Sequence, residues 1–115
     1  MHPQTRLLAS ILTTLAALAC SGSGGPTDPI GENGIIRIQN RSAIAVVEVN
    51  ISRCELTTWG ANRIANPIGT GQSRDFELAP NCYDVRAIGT GAEVVVFFDV
   101  LVTRGTVAIL EIDDG

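Results

Sequence analysis

Val94-Val95-Val96-Phe97-Phe98-Asp99-Val100-Leu101-Val102 is the longest apolar run in the part of the chain that can fold, and Asp99 alone interrupts it. Residues this rich in valine and phenylalanine suit a β-strand, because β-branched and aromatic side chains fit a pleated surface. A period of two turns Val94, Val96, Phe98, Val100 and Val102 towards a core. Val95, Phe97 and Leu101 then make a second apolar face, which predicts a central strand or one covered by a partner. Asp99 is expected to point inward and discourage edge pairing.

The same alternation repeats on either side. Downstream, Arg104-Gly105 turns into 106–112, with Ala108, Leu110 and Ile112 inward. Upstream, beyond Gly89-Thr90-Gly91-Ala92, residues 82–88 bury Tyr83, Val85 and Ala87 and leave Cys82, Asp84 and Arg86 outside. Residues 74–78 turn Phe76 and Leu78 in and Asp75 and Glu77 out. Residues 44–52 turn Ala45, Val47, Val49 and Ile51 in, and 35–39 turn Ile36 and Ile38 in. Pro67 limits a short edge strand expected at 63–68. Residues 53–63, with Cys54, Trp59 and Gly60, read as a loop or one helical turn. Short strands, Gly/Pro/Asn turns and no helical period predict an all-β fold: a six- to seven-stranded antiparallel β-sandwich, with a small barrel second.

Ahead of this domain (35–115) lies a segment of another kind. His2 and Arg6 form a weakly basic lead, and 7–19 hold no charge and end in small residues. That is the layout of a cleaved signal peptide over 1–19. As a helix the run would reach only about 20 Å, short of the ~30 Å hydrocarbon core. Residues 20–34 open with Ser21-Gly22-Ser23-Gly24-Gly25-Pro26 and read as a flexible tether.

Ala17-Leu18-Ala19-Cys20 resembles the lipobox of bacterial lipoproteins, with Ala17 standing where that family usually has leucine. The resemblance implies that Cys20 becomes a lipid-bearing N-terminus and holds the protein to a membrane. Ser21 after it is similar to the class sorted to the outer membrane or cell surface. Ala17 and Ala19 also satisfy ordinary signal peptidase, which would leave Cys20 free and the product soluble in the periplasm or secreted.

Cleavage after Ala19 leaves 96 residues. A domain this small buries only about 60% of its unfolded surface and benefits from a staple. Cys54 and Cys82 make an even pair in an oxidising compartment, so a disulfide is expected, worth about 3.5 kcal/mol on the chain-entropy account. A thiolate metal half-site is the rival, yet no histidine remains to complete it. His2 is the only histidine, and the chain has no lysine. Histidine-dependent triads, histidine metal sites and Schiff-base chemistry are therefore excluded after cleavage. Seven arginines stand against twelve carboxylates, a net −5, which argues against nucleic acid or anionic lipid as a charge-bound partner.

Asn40, Ser42, Trp59-Gly60, Asn62, Gly71, Ser73, Phe76, Leu78 and Tyr83-Asp84-Val85-Arg86 occur together over 35–112. In that combination they resemble a loosely defined group of small exported bacterial β-sandwich domains. The resemblance implies the fold and no activity.

These readings predict a non-enzymatic, exported binding or structural module needing no cofactor or metal, with a protein of the envelope as a partner. Trp59, Arg63 and Phe97 are the candidate binding residues. Phe97 belongs to the apolar patch with Val95 and Leu101. Trp59 and Arg63 would be the inserted residues if the chain instead inhibits an envelope hydrolase. Trp59 is more simply read as a plug at one end of the sandwich beside the Cys54–Cys82 clip, with Gly60 allowing the turn. Asp75 and Glu77 have the spacing of a glycosidase pair but also the pattern of any solvent-facing strand.

Overall fold

Six strands form where the alternation predicts them, the one expected at 63–68 does not, and two shift their facing partway along. The structure is a computed structural model, and it describes residues 7–15, by backbone alone, and 31–114. Cys20, the expected cleavage junction and most of the expected tether lie outside the described residues. In chain order the strands are β1 (Leu7–Leu15), β2 (Gly34–Asn40), β3 (Val46–Arg53), β4 (Ser73–Leu78), β5 (Asn81–Gly89), β6 (Val94–Val102) and β7 (Thr106–Asp114). They build two sheets, one ordered β1-β7-β2-β4 and the other β3-β5-β6. The sheets stay separate and face one another, giving a sandwich rather than a closed barrel.

Most neighbours are antiparallel, as expected, but β2 and β7 pair in parallel, Ile36 opposite Ala108 and Ile38 opposite Leu110. No hairpin joins these two strands, so no turn dictates their direction. The expected strand at 63–68 reduces to one bridge, Ile68 with Val46, because Pro67 cannot donate to a ladder. Residues 7–15, assigned from sequence to the leader, lie along β7 as β1, antiparallel from Leu7 opposite Asp114 to Leu15 opposite Thr106. An uncharged segment satisfies its own amides by adding to an open sheet edge.

The core joins Ile36, Ile38, Ala108, Leu110 and Ile112 of the first sheet to Val49, Ile51, Val85, Ala87 and Phe97 of the second. Ile64 and Ile68, from the segment joining β3 to β4, complete it. Burial is the main term holding the fold, about 1.5–3 kcal/mol for each large apolar side chain removed from water.

The sequence expectation for β6 is corrected here. Tyr83 lies opposite Val100 while Val85 lies opposite Phe97, so Phe98 and Asp99 together face the single residue Asp84. This is a β-bulge, and Asp99 carries it at φ 58°. The extra residue reverses the alternation. Val95 and Phe97 point in before the bulge, Val100 and Val102 point in after it, and Val94, Phe98 and Leu101 are exposed. Phe97, at 2% exposure, is core and cannot serve as a surface patch. Asp99 is exposed rather than inward, and its amide donates to Asp84 Oδ1 at 3.0 Å, which holds the bulge.

A second bulge between Val46 and Glu48 does the same to β3. Val46 and Val49 are buried, whereas Val47, expected inward, is exposed.

The end of β2 is closed by a polar plug. Asn40 is fully buried, and its Nδ2 donates to the carbonyls of Ile44 and Ile68, both at 2.9 Å. Its Oδ1 accepts from Ser42 N at 3.0 Å and Ser42 Oγ at 2.7 Å. Every bonding position of the amide is used, which is what lets it be buried.

Candidate functional site

The segment between β3 and β4 stands out because polar bonds hold it rigid while it leaves a concavity open. Its start is pinned by the Cys54–Cys82 disulfide, Cα atoms 5.4 Å apart, closing a separation of 28 residues. Cys54 N also donates to the Cys82 carbonyl at 2.9 Å. The bridge therefore clips the ends of neighbouring strands β3 and β5, as the outward placement of Cys82 implies. The two sulfurs lie with Asp99 in a group of metal-ligand type, but a disulfide leaves no thiolate to bind an ion.

Further along, Gly60 turns the chain at φ 77°, a conformation that costs glycine little. Asn62 Oδ1 then accepts from Val49 N at 3.0 Å and Ile64 N at 3.1 Å. Arg63 N donates to the Val49 carbonyl at 2.8 Å. Side chain and backbone thus stitch the segment along β3, and Ile64, buried at 7% exposure, nails it to the core.

Trp59 is not the plug expected from the sequence. It is half-buried, stands outside the core cluster, and lies under the Arg86 guanidinium, 4.9 Å from ring centroid to Cζ. Arg86 is itself aimed by Nε donating to Asn50 Oδ1 at 3.0 Å. Asn50, nearly inaccessible, donates in turn to Glu48 Oε2 at 3.0 Å and the Gly60 carbonyl at 3.2 Å. A cation over an indole face contributes about 0.5–1 kcal/mol at a site this exposed. One face of the ring is thus spoken for, and its orientation is set from β3 and β5.

Beside Trp59 opens a cleft of about 310 Å³, lined by Arg53, Leu56, Trp59, Arg63, Leu78 and Tyr83 among others. Leu56 is 46% exposed, an apolar side chain left at the rim. Tyr83 forms the buried wall, its hydroxyl donating to the Ala79 carbonyl at 2.7 Å. Burial raises the Tyr83 pKa above its ordinary value of 10.0, and the positive charges of Arg53 and Arg63 oppose that rise. Arg53 approaches Glu55 at 3.7 Å, both ends well exposed, a pair worth little in water. Arg63 makes no ion pair among the described residues.

Two of the three candidate binding residues are therefore brought together here, Trp59 and Arg63, and the third, Phe97, is not. Arg53, Leu56 and Tyr83 were missed. The alternation of β5 places Tyr83 inward, but nothing local to the sequence says that it shares a cleft with the 53–63 segment.

The glycosidase-like pair is otherwise engaged. Arg37 Nε donates to Asp75 Oδ1 at 2.7 Å and Nη2 to Oδ2 at 3.1 Å, a bidentate pair. That contact raises the Arg37 pKa, chiefly through the hydrogen bond to Asp75, against a partial loss from burial. Glu77 Oε2 accepts from Asn33 Nδ2 at 3.1 Å. The open hollow beside Asp75 is walled by Arg37, Gln39, Ser73 and Arg74 and does not include Glu77.

No protein-family model matches the chain, and neither does any curated protein or any solved structure.

Proposed function

We propose that the chain is a non-enzymatic module exported to the bacterial envelope, anchored there by lipid on Cys20, and that the cleft beside Trp59 receives its ligand. The observation that carries this reading is the convergence of Trp59, Arg53, Arg63 and Tyr83 on one concavity of about 310 Å³. A cleft with an indole, a phenol and two guanidinium groups suits a ligand that pairs a flat face with an anionic group. Carboxylate-bearing glycan and peptide fragments of the envelope belong to that class. The local positive charge is notable on a chain of net −4, since it gives the acidic protein one place to attract an anion.

The Cys54–Cys82 disulfide supports folding in an oxidising compartment outside the cytosol. No helix among the described residues is long and apolar enough to cross a membrane. Attachment is assigned to Cys20 on its lipobox-like setting, where several acyl chains would give stable anchoring.

The other reading, a secreted inhibitor of an envelope hydrolase, uses the same segment. An inhibitor inserts a protruding side chain, whereas Trp59 lies back under Arg86, which favours the receiving role. One measurement separates the two. Trp59 is the only tryptophan, so its emission reports occupancy of the cleft directly. Titration of the processed protein with soluble peptidoglycan fragments should give a saturable emission change. Arg63→Ala should weaken it roughly tenfold, the worth of one charge-assisted hydrogen bond. An emission that no fragment alters, or affinity untouched by Arg63→Ala, refutes the receiving role. Inhibition of a lysozyme-like or proteolytic enzyme, lost in Trp59→Ala, would establish the inhibitor instead.

A further inference from the structure

The uncleaved chain covers the β7 edge with its own leader, and cleavage would take that cover away. Strand β1 (Leu7–Leu15) pairs with all nine residues of β7, and all nine lie ahead of the Ala19–Cys20 junction. In the processed protein β7 becomes the outermost strand of its sheet, with β2 on its other side.

An exposed edge is normally blunted by proline, by charged side chains, lysine above all, or by a bulge, and β7 carries its charges only towards its far end, at Glu111, Asp113 and Asp114. Thr106-Val107-Ala108-Ile109-Leu110-Glu111-Ile112-Asp113-Asp114 contains neither proline nor lysine, and its registers with β1 and β2 run without a bulge. The Ile112 carbonyl accepts from Arg41 N on the β2 side at 2.7 Å. Alternate residues of a strand point their backbone groups to opposite sides. The amides and carbonyls of Val107, Ile109, Glu111 and Asp113 therefore face the open side.

We infer that a second copy of this chain fills the vacated place, β7 pairing antiparallel with its symmetry mate about a two-fold axis at Leu110. This rests on the cleavage reading above. Two observations favour a second copy. Only the register centred on Leu110 pairs the full strand, and it sets Ile109 opposite the mate's Glu111 and Val107 opposite the mate's Asp113, with no carboxylate facing another. It also brings the Arg104 turn of each copy alongside the Asp113–Asp114 end of the other. Arg104 can engage it, since its side chain is 68% exposed and its one ion pair among the described residues is a 3.8 Å approach to Glu32. Symmetric pairing of this kind is isologous and closes at a dimer.

The test uses the exported wild-type protein in density-matched detergent, which holds any lipid on Cys20 without adding to the apparent mass. Intact mass gives the first residue, and sedimentation equilibrium gives the assembly mass at micromolar concentration. The expected result is a chain beginning at residue 20 with twice the single-chain mass. Ile109 faces outward and is half-buried, so charge there tests the register without emptying the core. Ile109→Glu sets two pairs of carboxylates against each other and should raise the dimer dissociation constant roughly tenfold or more. Ile109→Lys sets lysine against the mate's Glu111 twice and should keep the dimer. A processed chain that stays monomeric, a dimer indifferent to Ile109→Glu, or a dimer lost equally in Ile109→Lys overturns the inference while leaving cleavage intact. A chain that still begins at Met1 overturns cleavage and, with the edge closed, the dimer as well.

Discussion

Replacing Asn40 by alanine would remove the buried polar plug at the end of β2. The amide makes four hydrogen bonds, to the Ile44 and Ile68 carbonyls and from Ser42 N and Oγ. The losses are unequal. Ile68 O also accepts from Val46 N at 3.0 Å, so it stays partnered. Ser42 Oγ can turn to the Ile44 carbonyl, already 2.9 Å away. Ser42 N has no such reserve and sits in a residue only 1% exposed. An orphaned buried amide costs about 1–3 kcal/mol, and each of the two Nδ2 bonds contributes about 1 kcal/mol. The expected destabilisation is thus about 3–5 kcal/mol, a large share of the ~5–15 kcal/mol that holds a domain. For a domain of this size that lowers Tm by roughly 15–25 °C. Thermal unfolding followed by circular dichroism, with the disulfide intact, would measure it. Asn40→Asp should fare no better near neutrality, because it restores the acceptor for Ser42 but turns a carboxylate oxygen towards two carbonyls. An Asn40→Ala protein within about 1 kcal/mol of wild type would show that the plug is not a stabilising network.

Two further substitutions test the bulge and the cleft wall. Phe97→Ala should cost about 3–5 kcal/mol as a core truncation, whereas Phe98→Ala, on a side chain 63% exposed, should cost no more than about 0.5 kcal/mol. Urea unfolding that reverses this order would mean the facing of β6 is wrong. Tyr83 titrates above 10.0 in the folded chain because it is buried. Its folded pKa is raised, so that contribution is complete below the unfolded value and is lost as pH rises from there through the folded one. As pH rises through 10.0 and beyond, wild type should therefore lose more stability than Tyr83→Phe, which is about 1 kcal/mol weaker at neutral pH for want of the Ala79 bond. Parallel alkaline losses in the two proteins would exclude Tyr83 as the cause.

The strands were readable because a half-buried strand must alternate, and the alternation survives in the amino-acid order. Residues 94–102 delimit β6, and Ala108, Leu110 and Ile112 point inward as the pattern predicts. The disulfide was readable from two leftover cysteines. Trp59 and Arg63 were readable as loop residues with chemistry to spare, but not the cleft they share, since Tyr83 reaches it from another strand.

Sequence alone thus determined six of the strands, β2 to β7, though neither β1 nor the reduction of 63–68 to a bridge, together with the absence of lysine, the restriction of histidine to His2, and where the staple lies. Tertiary structure alone decided which side each β6 residue faces, that Val47 stands in solvent, and that β2 runs parallel to β7. The physical reason is that alternation is a property of one strand, whereas a bulge is a mismatch between two. Two residues opposite Asp84 instead of one reverse everything beyond them, and that count exists only once the strands have paired.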